Sequence, residues 1–276
     1  MVGKILTLAM LSASCVSWAY CAETQVGDGV YVYDGRDLSQ DVKEKITSAY
    51  ITQRCIRIPA ETFYGCSNLE NVDFGDESYV NDIGYLAFAG CGLSTVVIPR
   101  SVTSLGRCAF VGCDKLSSVE FEQGSQLSRI SQAAFSGCSQ LQYITLPDSV
   151  SAIDNYAFSQ CSRLPAITIP SNVKYIAWRA FHYCTALKSV VISSHKTNIH
   201  DGAFDGCPLE DITFCFMIRR KHNCSPAAFL KKTLGVHHDG CVARFADDPV
   251  TTEGNIVRLK CNGTGWTPFI EPRNPA

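Results

Sequence analysis

Four residues near the C-terminus, Cys224, His237, His238 and Cys241, carry the ligand types that zinc prefers, thiolate and imidazole. Their spacing is loose and contains no C-x-x-C pair, so no metal is assigned and a metal-binding tail stands only as the alternative function. An enzyme needs an activated nucleophile, a base and a group that orients it. Gly-x-Ser-x-Gly, a phosphate loop and a dinucleotide fingerprint are all missing, and His182, His195 and His200 stand at irregular intervals without partners. The chain therefore reads as non-enzymatic and free of cofactors. Arg219, Arg220 and Lys221, directly after Phe216-Met217-Ile218, form the sharpest charge cluster. They offer a patch for an anionic partner, against the plainer reading of a solvated edge.

Cysteine chemistry depends on compartment, which the N-terminus addresses. Met1-Val2-Gly3-Lys4, the apolar run Ile5 to Val16 and small residues before Glu23 have the order of a secretory signal, with cleavage after Ala19 or Ala22. Residues 1–22 are thus expected to be removed, and the protein to be exported to periplasm, cell surface or medium. Leu11-Ser12-Ala13-Ser14-Cys15 is a poorly matched lipoprotein box, so a lipid anchor at Cys15 is the minority reading. No later run approaches the ~18–20 uncharged residues of a spanning helix. In an oxidising compartment Cys215, Cys224, Cys241 and Cys261, even in number and outside any period, are candidates for two disulfides.

The elements that must position these groups come from a repeat. With 46% apolar and 18% charged residues the chain is ordered, and its phenylalanines are periodic. Phe63, Phe88, Phe110, Phe135, Phe158, Phe181 and Phe204 are spaced 25, 22, 25, 23, 23 and 23 residues apart, the period of a solenoid. Each is followed three positions later by a cysteine (Cys66, Cys91, Cys113, Cys138, Cys161, Cys184, Cys207) and then by a triplet such as Leu141, Ile144 and Leu146. L-x-x-I-x-I ends in the alternation of a half-buried strand, and one strand per repeat stacks into a parallel sheet. Pro99, Pro147 and Pro170 end the strands. Val102/Leu105, Val150/Ile153 and Val173/Ile176 predict a second extended segment on the opposite side of the coil. Phe-x-x-Cys closes the coil in one helix-like turn, both side chains inward. The seven cysteines, parallel and core-facing, read as buried thiols. Cys55 and Cys108 are each candidates for an exposed free thiol.

The unit A-F-x-x-C-x-x-L-x-x-I-x-I-P resembles the BspA-type leucine-rich repeat of treponemal and oral-bacterial surface proteins, over about residues 58–214. The Asn that ladders backbone groups in commoner leucine-rich repeats is missing. The resemblance implies a solenoid with a parallel β-sheet on its concave face, short helical turns and extended segments elsewhere. It also implies a secreted or surface-associated protein-binding module, in some members an adhesin.

The expected organisation is a signal at 1–22, an N-terminal cap at 23–57, seven repeats at 58–214 and a C-terminal cap at 215–276. In the N-terminal cap, Val30 to Tyr33 predicts a strand, Asp37 or Ser39 a helix cap with helix to about Tyr50, and Ile56 to Pro59 a degenerate first strand. In the C-terminal cap, Ser225-Pro226 predicts a helix ending at Gly235, and Val257 to Lys260 a last strand. From Ile56 to Phe214 there are 10 basic and 15 acidic residues; from Cys215 on there are 9 and 5. The outward sheet positions then form a mild strip, uncharged at Val97, Tyr143, Thr145, Ala166, Thr168 and Val191, with carboxylates toward its ends. Such a strip suits a protein partner better than nucleic acid.

Overall fold

The computed structural model describes residues 25–26, 29–194, 197–200, 202–214, 256–261 and 266–271. Nineteen strands and one helix are present among them: β1 (Gln25–Val26), β2 (Val30–Tyr33), α1 (Gln40–Lys45), β3 (Ser48–Ile51), β4 (Arg57–Ile58), β5 (Asn71–Asp73), β6 (Asp82–Ile83), β7 (Thr95–Ile98), β8 (Ser104–Leu105), β9 (Ser118–Phe121), β10 (Arg129–Ile130), β11 (Tyr143–Ile144), β12 (Ala152–Ile153), β13 (Ala166–Ile169), β14 (Tyr175–Ile176), β15 (Ser189–Ile192), β16 (Asn198–Ile199), β17 (Asp211–Phe214), β18 (Ile256–Cys261) and β19 (Trp266–Glu271). From β3 to β17 the chain alternates between two parallel ladders and returns through the Phe-x-x-Cys turn, a solenoid as the repeat predicts.

The strand face follows from alternation: in β7 and β13 the pattern is exposed, buried, exposed, buried, so Val96, Ile98, Ile167 and Ile169 enter the core. The opposite ladder is only two residues wide per strand, for example Ala152 and Ile153 against Tyr175 and Ile176. Neighbouring coils come close beside it. A Cβ built on Gly106 would lie 2.3 Å from the carbonyl carbon of Gly84, so no side chain fits there.

The third side is held by the Phe turns. Phe63 N–H donates to the Ala87 carbonyl, Phe88 to Ala109, Phe110 to Ala134, Phe135 to Ala157, Phe158 to Ala180 and Phe181 to Ala203. Two residues before the Phe, the chain adopts positive φ at Glu61, Leu86, Cys108, Ala133, Tyr156 and Arg179, between 53° and 60°. That alternation of backbone hand points every second N–H at the next coil. It costs a non-glycine residue ~1 kcal/mol or more each time, offset by the hydrogen bonds gained. The seven Phe rings stack face to face, with centroids 5.0–5.6 Å apart and planes within 3–11°. Tyr33 closes the N-terminal end of the stack edge-on, 5.3 Å from Phe63.

The ends differ from the sequence reading in three places. Helix α1 is capped by Ser39, whose Oγ accepts the Val42 N–H, but it stops at Lys45 rather than near Tyr50. Residues 48–51 pair with both β2 and β5, and these sheet bonds outcompete further helix; Ala49 still reaches the core, from a strand. Arg57–Ile58 is not a strand-face element: it heads the opposite ladder, paired with Asp82–Ile83. Cys55 is buried rather than exposed, its thiol donating to the Tyr33 carbonyl at 3.4 Å, whereas Cys108 is half-buried. The expected strand at Val257 to Lys260 is present within β18, which pairs antiparallel with β17 and with β19 and covers that edge of the sheet. Pro268 falls on the outermost strand, the place in a sheet where proline is tolerated.

Candidate functional site

The strand face is not one uninterrupted sheet. Its hydrogen-bonded order is β1-β2-β3-β5, then β7-β9-β11, then β13-β15-β17-β18-β19. Between β11 and β13 the cause is chemical. Ser94, Ser117, Gln142, Lys188 and Glu210 each donate their N–H to the coil before, and at the same position Pro165 has none to give. Between β9 and β11 pairing starts at Ser118–Tyr143 and Val119–Ile144 and then stops, whereas β7 and β9 stay paired for four residues. Beyond that point the repeat from Phe110 to Phe135, three residues longer than the one before it and two longer than the one after, places its extra residues in the loop that follows β9.

This splay opens a groove of about 740 Å³ between residues 118–126 and 143–149. Tyr143, 67% exposed, and Thr145 stand in it, beside Glu120, Glu122 and Asp148. No Lys, Arg or His lines it. Glu122 is positioned by the backbone N–H of Arg100, which it accepts at 2.9 Å.

Of the residues expected to form the strip, Val97 is exposed and lies in register with Glu120. Ala166 and Thr168 are exposed on β13, in register with Ser189 and the half-buried Val191. Tyr143 and Thr145 thus share a groove, while Ala166, Thr168 and Val191 share a second, separate sheet. The expectation that carboxylates keep to the ends of the strip is corrected: Glu120 sits in its middle, with Glu122 and Asp148 beside it. Arg219, Arg220, Lys221, Cys215, Cys224 and Cys241 lie outside the described residues, as do His237, His238, Cys15 and the proposed signal; Cys261 ends β18, with only its backbone described.

The repeat cysteines are set by the turns. Cys91 Sγ donates to the Phe63 carbonyl, Cys113 to Phe88, Cys138 to Phe110, Cys161 to Phe135, Cys184 to Phe158 and Cys207 to Phe181, at 2.9–3.3 Å. Each of these Phe carbonyls also accepts the N–H of its own repeat's cysteine, so both its lone pairs are used. The thiol ladder does the work of the missing asparagines. Burial pushes the thiol of Cys66 up to about 11 and that of Cys113 up to about 12, and raises Cys91, Cys138 and Cys161 as well; Cys184 is raised by its contact with Cys207 and by burial. Protonated and enclosed, these thiols are not nucleophiles.

Another cluster escaped the sequence reading. On the turn side, Arg179 lies over the Trp178 ring at 4.4 Å, and Tyr156 meets the same ring edge-on at 5.2 Å. Tyr183, in the next turn of the same repeat, is exposed at positive φ, where five of the seven repeats place glycine. His182 touches Tyr183, and burial together with the Arg179 charge holds its imidazole below the ordinary value. The signal was available: Trp178 and Arg179 precede Phe181 at offsets that are exposed or half-buried in the six repeats from Phe63 to Phe181.

A parallel-stranded solenoid with an exposed strand face and a stacked aromatic spine is the architecture of a repeat protein. The profile of the BspA-type leucine-rich repeat region matches residues 41–127 and 120–229, six copies in all, and the chain belongs to this family. Among solved structures it is similar to a leucine-rich repeat protein from Bacteroides ovatus (25% identity over 61% of this chain and 55% of that one, TM-score 0.46). It is also similar to the T. pallidum leucine-rich repeat protein (26%, 69% and 77%, 0.45) and to the pneumococcal vaccine antigen PcpA (20%, 66% and 53%, 0.47). The chain thus spans 55% and 53% of the length of the Bacteroides ovatus and pneumococcal proteins. No curated protein matches it.

Proposed function

We propose that this protein is an exported, non-enzymatic binding module that engages a protein partner through its strand face, with Tyr143 as the anchor. The observation that carries the reading is the position of Tyr143: the most exposed large apolar side chain described, at 67%, lining a groove on the strand face. Tyrosine anchors commonly dominate interface energies. Family membership supports protein interaction as the role, and the leader-like residues 1–22 support export; adhesion to host proteins is one form this role can take.

The test is capture of partners on the chain lacking residues 1–22, followed by affinity measurement with Tyr143→Ala and, as control, Arg220→Ala. Tyr143→Ala is expected to weaken binding at least about tenfold while leaving the fold intact. A partner that ignores Tyr143 but loses affinity with Arg220→Ala, strongly only at low salt, would place the site on the basic tail instead.

A further inference from the structure

We infer that the groove beside Tyr143 receives a basic side chain, so that the partner presents an extended segment with an arginine or lysine next to an apolar residue. The inference rests on the strand-face reading and deepens it by naming what the groove selects. Its basis is charge and shape together. Glu120, Glu122 and Asp148 bring three carboxylates to a groove of about 740 Å³ whose lining holds no cation. None of the three forms an ion pair among the described residues, in contrast to Asp82, Asp154 and Glu210, which pair with Arg57, Arg129 and Lys188 on neighbouring coils. The acidic character of the groove is therefore left uncompensated within the stack.

Shape fixes the mode. The mouth lies where the pairing of β9 with β11 stops after Val119–Ile144, and backbone groups left unpaired beside a sheet suit an extended chain better than a helix. Tyr143 on one wall gives an aromatic face to an aliphatic stem or to the cation itself. Gln126 and Thr145 supply neutral acceptors alongside. A guanidinium or ammonium placed between Glu120 and Asp148 would exchange water for two charge-assisted hydrogen bonds, and an acidic segment would be repelled by the same pair.

The experiment uses the chain lacking residues 1–22 and three capped Gly-Ser peptides that differ only at their centre: Val-Arg-Val, Val-Ser-Val and Val-Glu-Val. Binding is followed by fluorescence anisotropy at low and at high salt. The Val-Arg-Val peptide is expected to bind at least about tenfold tighter than Val-Ser-Val, with Val-Glu-Val weakest and the preference shrinking as salt rises. Replacing Glu120→Gln together with Asp148→Asn should bring the ratio of Val-Arg-Val to Val-Ser-Val affinity down to about one; Glu122 is kept because it holds the Arg100 backbone. Tyr143→Ala should weaken all three. Equal binding of the three peptides, still sensitive to Tyr143→Ala, would overturn the basic preference and leave the strand-face reading standing. A preference that is lost in the neutralised chain but indifferent to Tyr143→Ala would keep the groove and overturn Tyr143 as its anchor, whereas binding that responds to neither change would overturn the strand-face reading. Binding of Val-Arg-Val that begins only after Arg219, Arg220 and Lys221 are replaced by alanine would show the chain's own tail as occupant and overturn the partner assignment.

Discussion

The Phe-turn side and the strand side of this coil are built from the same seven repeats, yet one runs without interruption and the other is broken. On the turn side every ring meets the next ring, from Phe63 to Phe204, and each thiol from Cys91 to Cys207 reaches the coil before it. On the strand side the strand ladder lapses between β5 and β7 and again between β11 and β13. The two extra residues of the 25-residue repeats fall after the strand, the residue lost from the 22-residue repeat falls between Cys91 and Leu93, and no change falls within Phe-x-x-Cys. The difference teaches a division of labour. The turn side carries the unbroken ring stack and thiol ladder that set coil spacing, and the strand side is therefore free to vary, splay and open a groove.

The largest expected effect concerns the turn side at alkaline pH. The thiols of Cys66, Cys91, Cys113, Cys138 and Cys161 are raised by burial, so their contribution to stability is complete below the unfolded value and is lost as pH rises toward the folded one. In the unfolded chain they ionise from about pH 8.5–9, giving up roughly 1.4 kcal/mol each per pH unit until the folded values, about 11 for Cys66 and about 12 for Cys113, are reached. Denaturant midpoints measured from pH 7 to 11 should fall steeply above about 9; a flat profile would break the picture of a buried thiol ladder.

Next in size is Phe158→Ala, which opens the stack between Phe135 and Phe181 and should cost about 3–5 kcal/mol by chemical denaturation. Cys161→Ser should cost about 1–3 kcal/mol, since the shorter hydroxyl leaves a gap and a poorer bond to the Phe135 carbonyl. In the native state Cys161 should resist thiol reagents that label the half-buried Cys108. The smallest effect belongs to Arg129→Ala: its pair with Asp154 at 2.6 Å is exposed, and exposed pairs are worth about 0–1 kcal/mol. A cost above Cys161→Ser would mean that surface charge, not the turn ladder, holds the coils together.

Much of this fold was legible in the sequence because a period of identical residue types forces identical environments. Seven Phe-x-x-Cys units can stack only one way, and the second apolar pairs Val102/Leu105 and Val173/Ile176 announced the opposite ladder. The ends were harder to read, since Ser48 to Ile51 has helix and strand patterns at once and only the neighbouring β2 and β5 decide between them. The groove escaped for a related reason. The spacing of 25 between Phe110 and Phe135 and the proline at 165 were both visible, but each matters only through the strand it fails to pair. Glu120 and Asp148 are far apart in the chain and line one groove only because consecutive coils lie side by side.

One comparison of variants tests the division of labour most directly. Tyr143 and Trp178 are both exposed aromatics, one on the strand side and the other on the turn side, clustered with Arg179 and Tyr156. Affinity for a captured partner, measured in parallel for Tyr143→Ala and Trp178→Ala chains of unchanged stability, is predicted to fall at least about tenfold for the first and by less than about twofold for the second. The reverse order, with Trp178→Ala abolishing binding and Tyr143→Ala without effect, would contradict the account and move the binding surface to the turn side.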